Sequence, residues 1–267
     1  MNFGARLEAK GLTFAREKKH RLVLDGASIG FGAGEIVSLL GANGSGKTTI
    51  LRLMLGFLKP EAGEVSLAGR NLSAWSRRDI AKTIAYVAQN HVAPFPYLVR
   101  DVVLLGRLPQ AGWLAPVAAR DYHAADALLD QLGILALAER PYTEVSGGER
   151  QLALIARALA QGARLLVMDE PMAGLDYGAQ IRLMRLLGGL KHKGMGVLLS
   201  THHPEHAFWA SDRIALLEQG RITVDGAPRE VLNAEAIERL YRVKVAALTA
   251  ADGRRAFLPE TAPERTA

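Results

Sequence analysis

The sequence predicts an α/β protein with a parallel-sheet core, interrupted by a helical insertion over about residues 91–160. Three observations predict it. Residues 35–40 (EIVSLL) and 165–168 (LLVM) are short, nearly continuous apolar runs, the mark of strands buried on both faces. The first run passes through a glycine-rich loop into Ile50, Leu51, Leu53, Met54 and Leu55, which recur at helical spacing. Between the two runs the pattern turns helical, over 101–107, 120–132 and 147–160.

Residues 7–31 read as short strands: Leu7, Ala9 and Leu12 are interspersed with polar residues, and Leu22, Val23 and Leu24 precede an Asp25-Gly26 turn signal. Residues 35–40, the loop and the helix opening at Lys47 follow, then strands at 65–67 and 83–87. The helical region is entered through His91-Val92-Ala93-Pro94-Phe95-Pro96, whose two prolines break regular structure, and 111–116 reads as a loop within it. From Leu165 the alternation returns, with a strand at 165–168, a helix at 181–190, and strands at 197–199, 214–217 and 222–224. After Thr249 little periodicity remains, and the segment reads as a tail that frays. At ~150 residues per domain, the 267 residues make one large domain or two small ones. The expected division is a single domain over 5–245, its core at about 5–90 and 161–245 around the inserted helical part, with a tail at 246–267.

Apolar residues make up 49% of the chain and charged residues 22%, which excludes a disordered or collagen-like protein. There is no cysteine, so thiolate metal sites, thiol catalysis and disulfides are excluded. The formal charge of +6 suits a polyphosphate or an anionic surface without identifying either. No basic stripe with interleaved aromatics accompanies it, so direct nucleic-acid binding is not expected. No stretch approaches the ~20 apolar residues of a membrane-spanning helix, and residues 1–10 lack the apolar centre of a secretory signal. A cytoplasmic protein is expected.

Gly41-Ala42-Asn43-Gly44-Ser45-Gly46-Lys47-Thr48 fits G-x-x-x-x-G-K-[ST], with Thr49 following. Glycines let consecutive backbone N–H groups converge on phosphate oxygens, and the opening helix adds its positive end. Lys47 supplies a point charge, and the Thr48 hydroxyl can ligate Mg²⁺. The second apolar run ends in Asp169 and Glu170. Ligands of a doubly wound sheet sit outside the carboxyl ends of its strands, so Asp169 is placed to hold Mg²⁺ and Glu170 to accept a proton from an attacking water. Ser146 and Glu149 form an S-x-x-E capping box. Capping does not explain Gly147 and Gly148 in the first turn, each weakening a helix by ~1 kcal/mol; a second anion site at this helix end, supplied to another protomer's nucleotide, does. His202-His203-Pro204-Glu205-His206 matches the H-x-x-E-H zinc-hydrolase spacing. That chemistry needs both histidines on one continuous helix. Here His202 ends an apolar strand and Pro204 intervenes, so zinc is not expected and His206 reads as an ordinary helix-surface residue.

With these motifs in order, the sequence resembles the ATP-binding subunit of ABC transporters over about residues 7–245. Gly41 to Thr49 is similar to the Walker A loop, 165–170 to Walker B with its catalytic glutamate, and 145–151 to the signature motif. Gln89 resembles the Q-loop glutamine that reads Mg²⁺ and the γ-phosphate, Gly174-Leu175-Asp176 the D-loop, and His202 the switch histidine. The resemblance implies a P-loop NTPase (RecA-like) core with an N-terminal antiparallel β subdomain. It also implies a head-to-tail homodimer sandwiching two MgATP. Each nucleotide then meets Gly41, Asn43, Gly44, Ser45, Gly46, Lys47, Thr48 and Thr49 of one chain, and Ser146, Gly147, Gly148 and Glu149 of the other, near Asp176. Thr48, Gln89 and Asp169 serve the metal, and Glu170, His202 and Lys47 serve hydrolysis. Four positions depart from the usual pattern: Val145, Glu149, Met172 and His203. The adenine-stacking position aligns with Arg16, which either stacks on the base or yields that contact to Phe14.

A single cassette without fused membrane helices resembles importers more than exporters and implies separate integral-membrane permease subunits and a periplasmic or extracellular substrate-binding protein. The chain is then peripheral, on the cytoplasmic face of the inner membrane. Phe95-Pro96-Tyr97, 99–107 (VRDVVLLGR) and 201–207 (THHPEHA) resemble the importer group for iron–siderophore, heme and cobalamin, whereas Leu175-Asp176-Tyr177-Gly178 also occurs in molybdate or tungstate importers. Metal-chelate import is the expectation and oxyanion import the alternative. A non-transport ABC ATPase acting on nucleic acid or the ribosome fits less well, because only one Walker A and no sustained heptads occur.

Overall fold

The computed structural model describes residues 5–16, 21–89, 95–111, 117–250, 253 and 255–260. In chain order its elements are β1 (Arg6–Arg16), β2 (Arg21–Gly32), β3 (Ile36–Leu40), α1 (Lys47–Met54), β4 (Ala62–Leu67), β5 (Arg70–Asn71), α2 (Arg77–Thr83), β6 (Ile84–Val87), α3 (Val99–Leu104), α4 (Leu108–Ala111), α5 (Ala119–Gln131), α6 (Gly147–Ala160), β7 (Leu165–Asp169), α7 (Tyr177–His192), β8 (Gly196–Thr201), α8 (Pro204–Ala210), β9 (Arg213–Glu218), β10 (Arg221–Gly226), α9 (Pro228–Val231), α10 (Ala234–Tyr241), β11 (Val245–Thr249) and β12 (Arg255–Pro259). They form two compact units. The first comprises the described parts of Met1–Leu7, Phe31–Glu35 and Ser66–Leu199; the second comprises those of Glu8–Gly30, Ile36–Val65 and Ser200–Ala267.

In the first unit β8, β7 and β6 lie side by side, with β6 and β7 parallel from Ile84 opposite Leu165 to Val87 opposite Met168. Every residue of β7 and β8 is buried, which is why neither run alternates. The helical insertion is present as α3, α5 and α6 packed on one another. Residues 90–94 and 112–116, where the sequence reading places an entry segment and a loop, lie outside the described residues.

In the second unit β3 pairs in parallel with β9, from Val37 opposite Arg213 to Leu40 opposite Leu216, and β10 returns antiparallel to β9. The Asp212 carboxylate accepts the Ile36 N–H at 2.9 Å and fixes where β3 begins. β2, β1 and β4 lie side by side; the end of β4, Ser66 and Leu67, belongs to the first unit and turns back antiparallel into β5.

Two readings of the sequence are corrected. Residues 7–31 form long strands of 11 and 12 residues rather than short ones. Asp25-Gly26 lies inside β2, because long-range partners hold it extended: the Asp25 N–H donates to the Gly220 carbonyl at 3.0 Å and the Gly26 N–H to the Thr13 hydroxyl at 3.3 Å. The C-terminal segment is not irregular throughout, since β11 and β12 form an antiparallel hairpin from Val245 opposite Pro259 to Thr249 opposite Arg255. Of β11 only Val245 is buried, while Ala246, Ala247 and Leu248 are exposed and apolar, so no alternation marks the strand. Val245 and Phe257 join Ala207 of α8, Ile214 and Leu216 of β9, and Ile237 and Leu240 of α10 in one apolar cluster.

Candidate functional site

The phosphate-binding loop grows out of β3, whose buried run ends at Leu40. Gly46, at φ 108°, makes the turn into α1 in a backbone region that favours glycine. Ile50, Leu51, Leu53 and Met54 are buried along α1, and the helix opens directly from the loop, so its N-terminal N–H groups follow those of the loop. Lys47 is 5% exposed; its ammonium donates to the carbonyls of Gly41 at 2.9 Å and Ala42 at 3.2 Å, which keeps the charge over the loop. The Ser45 hydroxyl is buried and has no hydrogen-bond partner among the described residues. A buried donor of this kind fits a phosphate oxygen.

The acidic cluster is built by strand register. Val87 and Met168 are paired on parallel strands, so Gln89 and Glu170, each two residues beyond, leave neighbouring strands at the same end. Gln89 Nε2 donates to Glu170 Oε2 at 3.0 Å, which orients the carboxylate. Glu170 is 9% exposed and sits at φ 48°, in the left-handed region that non-glycine residues rarely adopt. Asp169, at the end of β7, is buried. The Thr48 hydroxyl, Gln89 amide and Asp169 carboxylate are hard oxygen donors of the kind Mg²⁺ takes alongside water and phosphate.

Ser146 caps α6 as expected: its hydroxyl accepts the Glu149 N–H at 3.3 Å, and Glu149 Oε2 accepts the Ser146 N–H at 2.7 Å. The Ser146 backbone N–H first, and its hydroxyl second, hold the Glu149 carboxyl below its ordinary pKa. Gly147 and Gly148 differ. A Cβ on Gly148 would lie 2.8 Å from the Gly174 carbonyl, whereas one on Gly147 would meet nothing within 4 Å. Packing accounts for the second glycine and leaves the first, which is exposed, without a structural reason. Val145 and Met172, two of the positions that depart from the usual pattern, are buried. Asp176 caps α7, its Oδ1 accepting the Ala179 N–H at 2.7 Å.

His202 lies between β8 and α8, with its ring 4.1 Å from that of His203, which in turn is 4.8 Å from that of His206. His202 and His206 therefore do not share a helix. His206 is half-buried, not an ordinary surface residue; burial first, and the neighbouring His203 and His202 second, lower its pKa to about 4. Arg16 is exposed at the end of β1 and Phe14 is half-buried, and among the described residues Arg16 makes no hydrogen bond to the loop. One neighbour of the site carried no signal in the sequence: Tyr241, whose hydroxyl donates to the His202 carbonyl at 2.9 Å.

Among the described residues no helix is long and apolar enough to cross a membrane. The sequence profile of the ABC transporters matches residues 24–173. A hemin import ATP-binding protein from Nocardia farcinica is 38% identical over 91% of this chain and 84% of its own. A petrobactin import ATP-binding protein from Bacillus anthracis is 34% identical over 84% of this chain and 83% of its own. Among solved structures, an inward-facing conformation of a proposed metal-chelate type ABC transporter superposes with a TM-score of 0.80 at 30% identity, covering 96% of this chain and 97% of that one. A capped helix opening on an unexplained glycine, a lysine folded over its loop and a glutamate oriented by a glutamine thus stand in a recognised context: the chain belongs to the ATP-binding proteins of the ABC transporter family.

Proposed function

We propose that this chain is the ATP-hydrolysing subunit of an importer for metal chelates, working as a homodimer on the cytoplasmic face of a separate membrane permease that a substrate-binding protein supplies. The observation that carries the hydrolytic reading is the Gln89–Glu170 hydrogen bond, which aims a buried carboxylate by way of a second strand end. The cargo reading draws its support from the hemin and petrobactin importers and from the metal-chelate transporter.

In this reading Lys47, the loop N–H groups and the Ser45 hydroxyl bind the phosphates, and Thr48, Gln89 and Asp169 hold Mg²⁺. The ion, when bound, neutralises charge on the β- and γ-phosphates. Glu170 takes the proton of a water attacking the γ-phosphate in line, while His202 contacts the γ-phosphate from the strand end of β8. Ser146 and Gly147 of the partner offer backbone N–H groups and a helix N-terminus to the same phosphate, so the closed dimer gains contacts that the open one lacks.

The test is Glu170→Gln. It is expected to bind ATP as the wild type does, lose turnover by about 10²-fold or more, and elute with ATP as a dimer. Hydrolysis at the wild-type rate would remove Glu170 from the role of base. For the transport half, the tagged chain is expected to co-purify with a polytopic membrane protein whose reconstituted complex is stimulated by a loaded metal-chelate binding protein. Recovery with ribosomes or DNA instead would overturn it.

A further inference from the structure

The peptide group joining His202 to His203 is held at both ends by side chains. Its carbonyl oxygen accepts the Tyr241 hydroxyl at 2.9 Å, and its N–H donates to the Thr201 hydroxyl at 3.0 Å. A peptide plane fixed at both its oxygen and its nitrogen cannot rotate freely, and its orientation sets the backbone angles that aim the two flanking imidazoles. Those rings are 4.1 Å apart, and the second abuts His206 on α8. Tyr241 is itself anchored. It packs on the apolar cluster in which Ala236, Ile237 and Leu240 of α10 meet Ala207 of α8, Val245 of β11 and Phe257 of β12. The segment after β10 is thus built onto the turn that carries His202.

We propose that Tyr241 is a positioning residue for ATP hydrolysis: its hydroxyl sets the His202–His203 peptide, so that α10 and the C-terminal hairpin hold His202 in register with the γ-phosphate. This rests on the reading of His202 as the γ-phosphate contact. A tertiary staple with no such role would lower the melting temperature and leave the turnover of the folded protein unchanged.

The test uses the full chain with Tyr241→Phe, which keeps the ring and removes the hydroxyl, and His202→Ala beside it. Below the melting temperature of each variant, Tyr241→Phe is expected to lower kcat by about 3- to 10-fold, the factor one neutral hydrogen bond corresponds to, with KM for ATP unchanged. Its ring NMR signals for His202 and His203 are expected to move while those of His123 and His192 stay in place. Wild-type kcat with unmoved His202 signals would overturn the proposal, as would a loss that merely follows the fraction of folded protein. Wild-type turnover by His202→Ala would instead remove the role of His202 itself, and the proposal with it; loss of turnover in His202→Ala alone, with Tyr241→Phe normal, would remove only the role of Tyr241.

Discussion

Alanine at Gly147 separates what the fold needs from what a ligand needs. A Cβ there meets no atom within 4 Å, so the substitution introduces no clash. Gly147 is the first residue of α6, where alanine loses less backbone entropy on folding. The expected effect on the chain by itself is a gain of about 0.4–1 kcal/mol, or a rise of roughly 1–4 °C in Tm for a protein of this size. The neighbouring Gly148→Ala behaves oppositely. Its Cβ would come 2.8 Å from the Gly174 carbonyl, and the backbone before α7 would have to move, at about 1–3 kcal/mol. Thermal unfolding followed by circular dichroism measures both, alongside steady-state ATP hydrolysis. Gly147→Ala is expected to be as stable as the wild type or more so, yet to lose hydrolysis by at least about tenfold, since in the proposed dimer a methyl group would stand where the γ-phosphate meets the helix tip. Wild-type hydrolysis would mean that nothing binds closely at that tip. A fall in Tm would mean that a methyl group at Gly147 is not free of contacts.

Phe257→Ala removes the aromatic ring that fastens β12 to the cluster with α8 and α10, and calorimetry is expected to find a loss of about 3 kcal/mol or more; a change below about 1 kcal/mol would detach the hairpin from the core. Acid titration should expose His206. Its pKa falls from 6.5 to about 4 on folding, so above pH 6.5 both states are neutral and nothing is lost. As the pH drops from 6.5 towards 4 the unfolded chain binds a proton that the folded one refuses, and stability declines with a slope of at most about 1.4 kcal/mol per pH unit. His206→Gln is expected to flatten that decline in urea titrations across this window; an unchanged slope would assign it to other groups.

The phosphate loop, the acidic strand end and the capped helix were legible because each is a local solution to a local problem: a sharp turn, a buried run, a helix end short of acceptors. Ser146 and Glu149 find each other within one turn, and Asp176 caps its own helix. The Gln89–Glu170 contact has another origin, since the two residues are 81 positions apart and meet only because β6 and β7 are in register. The resemblance named both residues; nothing in either segment announces the bond between them. Asp25-Gly26 looked like a turn because its partners, Gly220 and Thr13, are remote in sequence. The hairpin at 245–259 was hidden by apolar residues on both of its faces.

The backbone at Glu170 has a bearing on how this chain can change. A left-handed conformation costs an L-residue with a Cβ roughly 1–2 kcal/mol, and glycine would occupy φ 48° at ease. Selection for robustness alone would therefore drift towards glycine at this position. A copy released from its duty would be expected to lose its carboxylate early, and to grow sturdier as it did so.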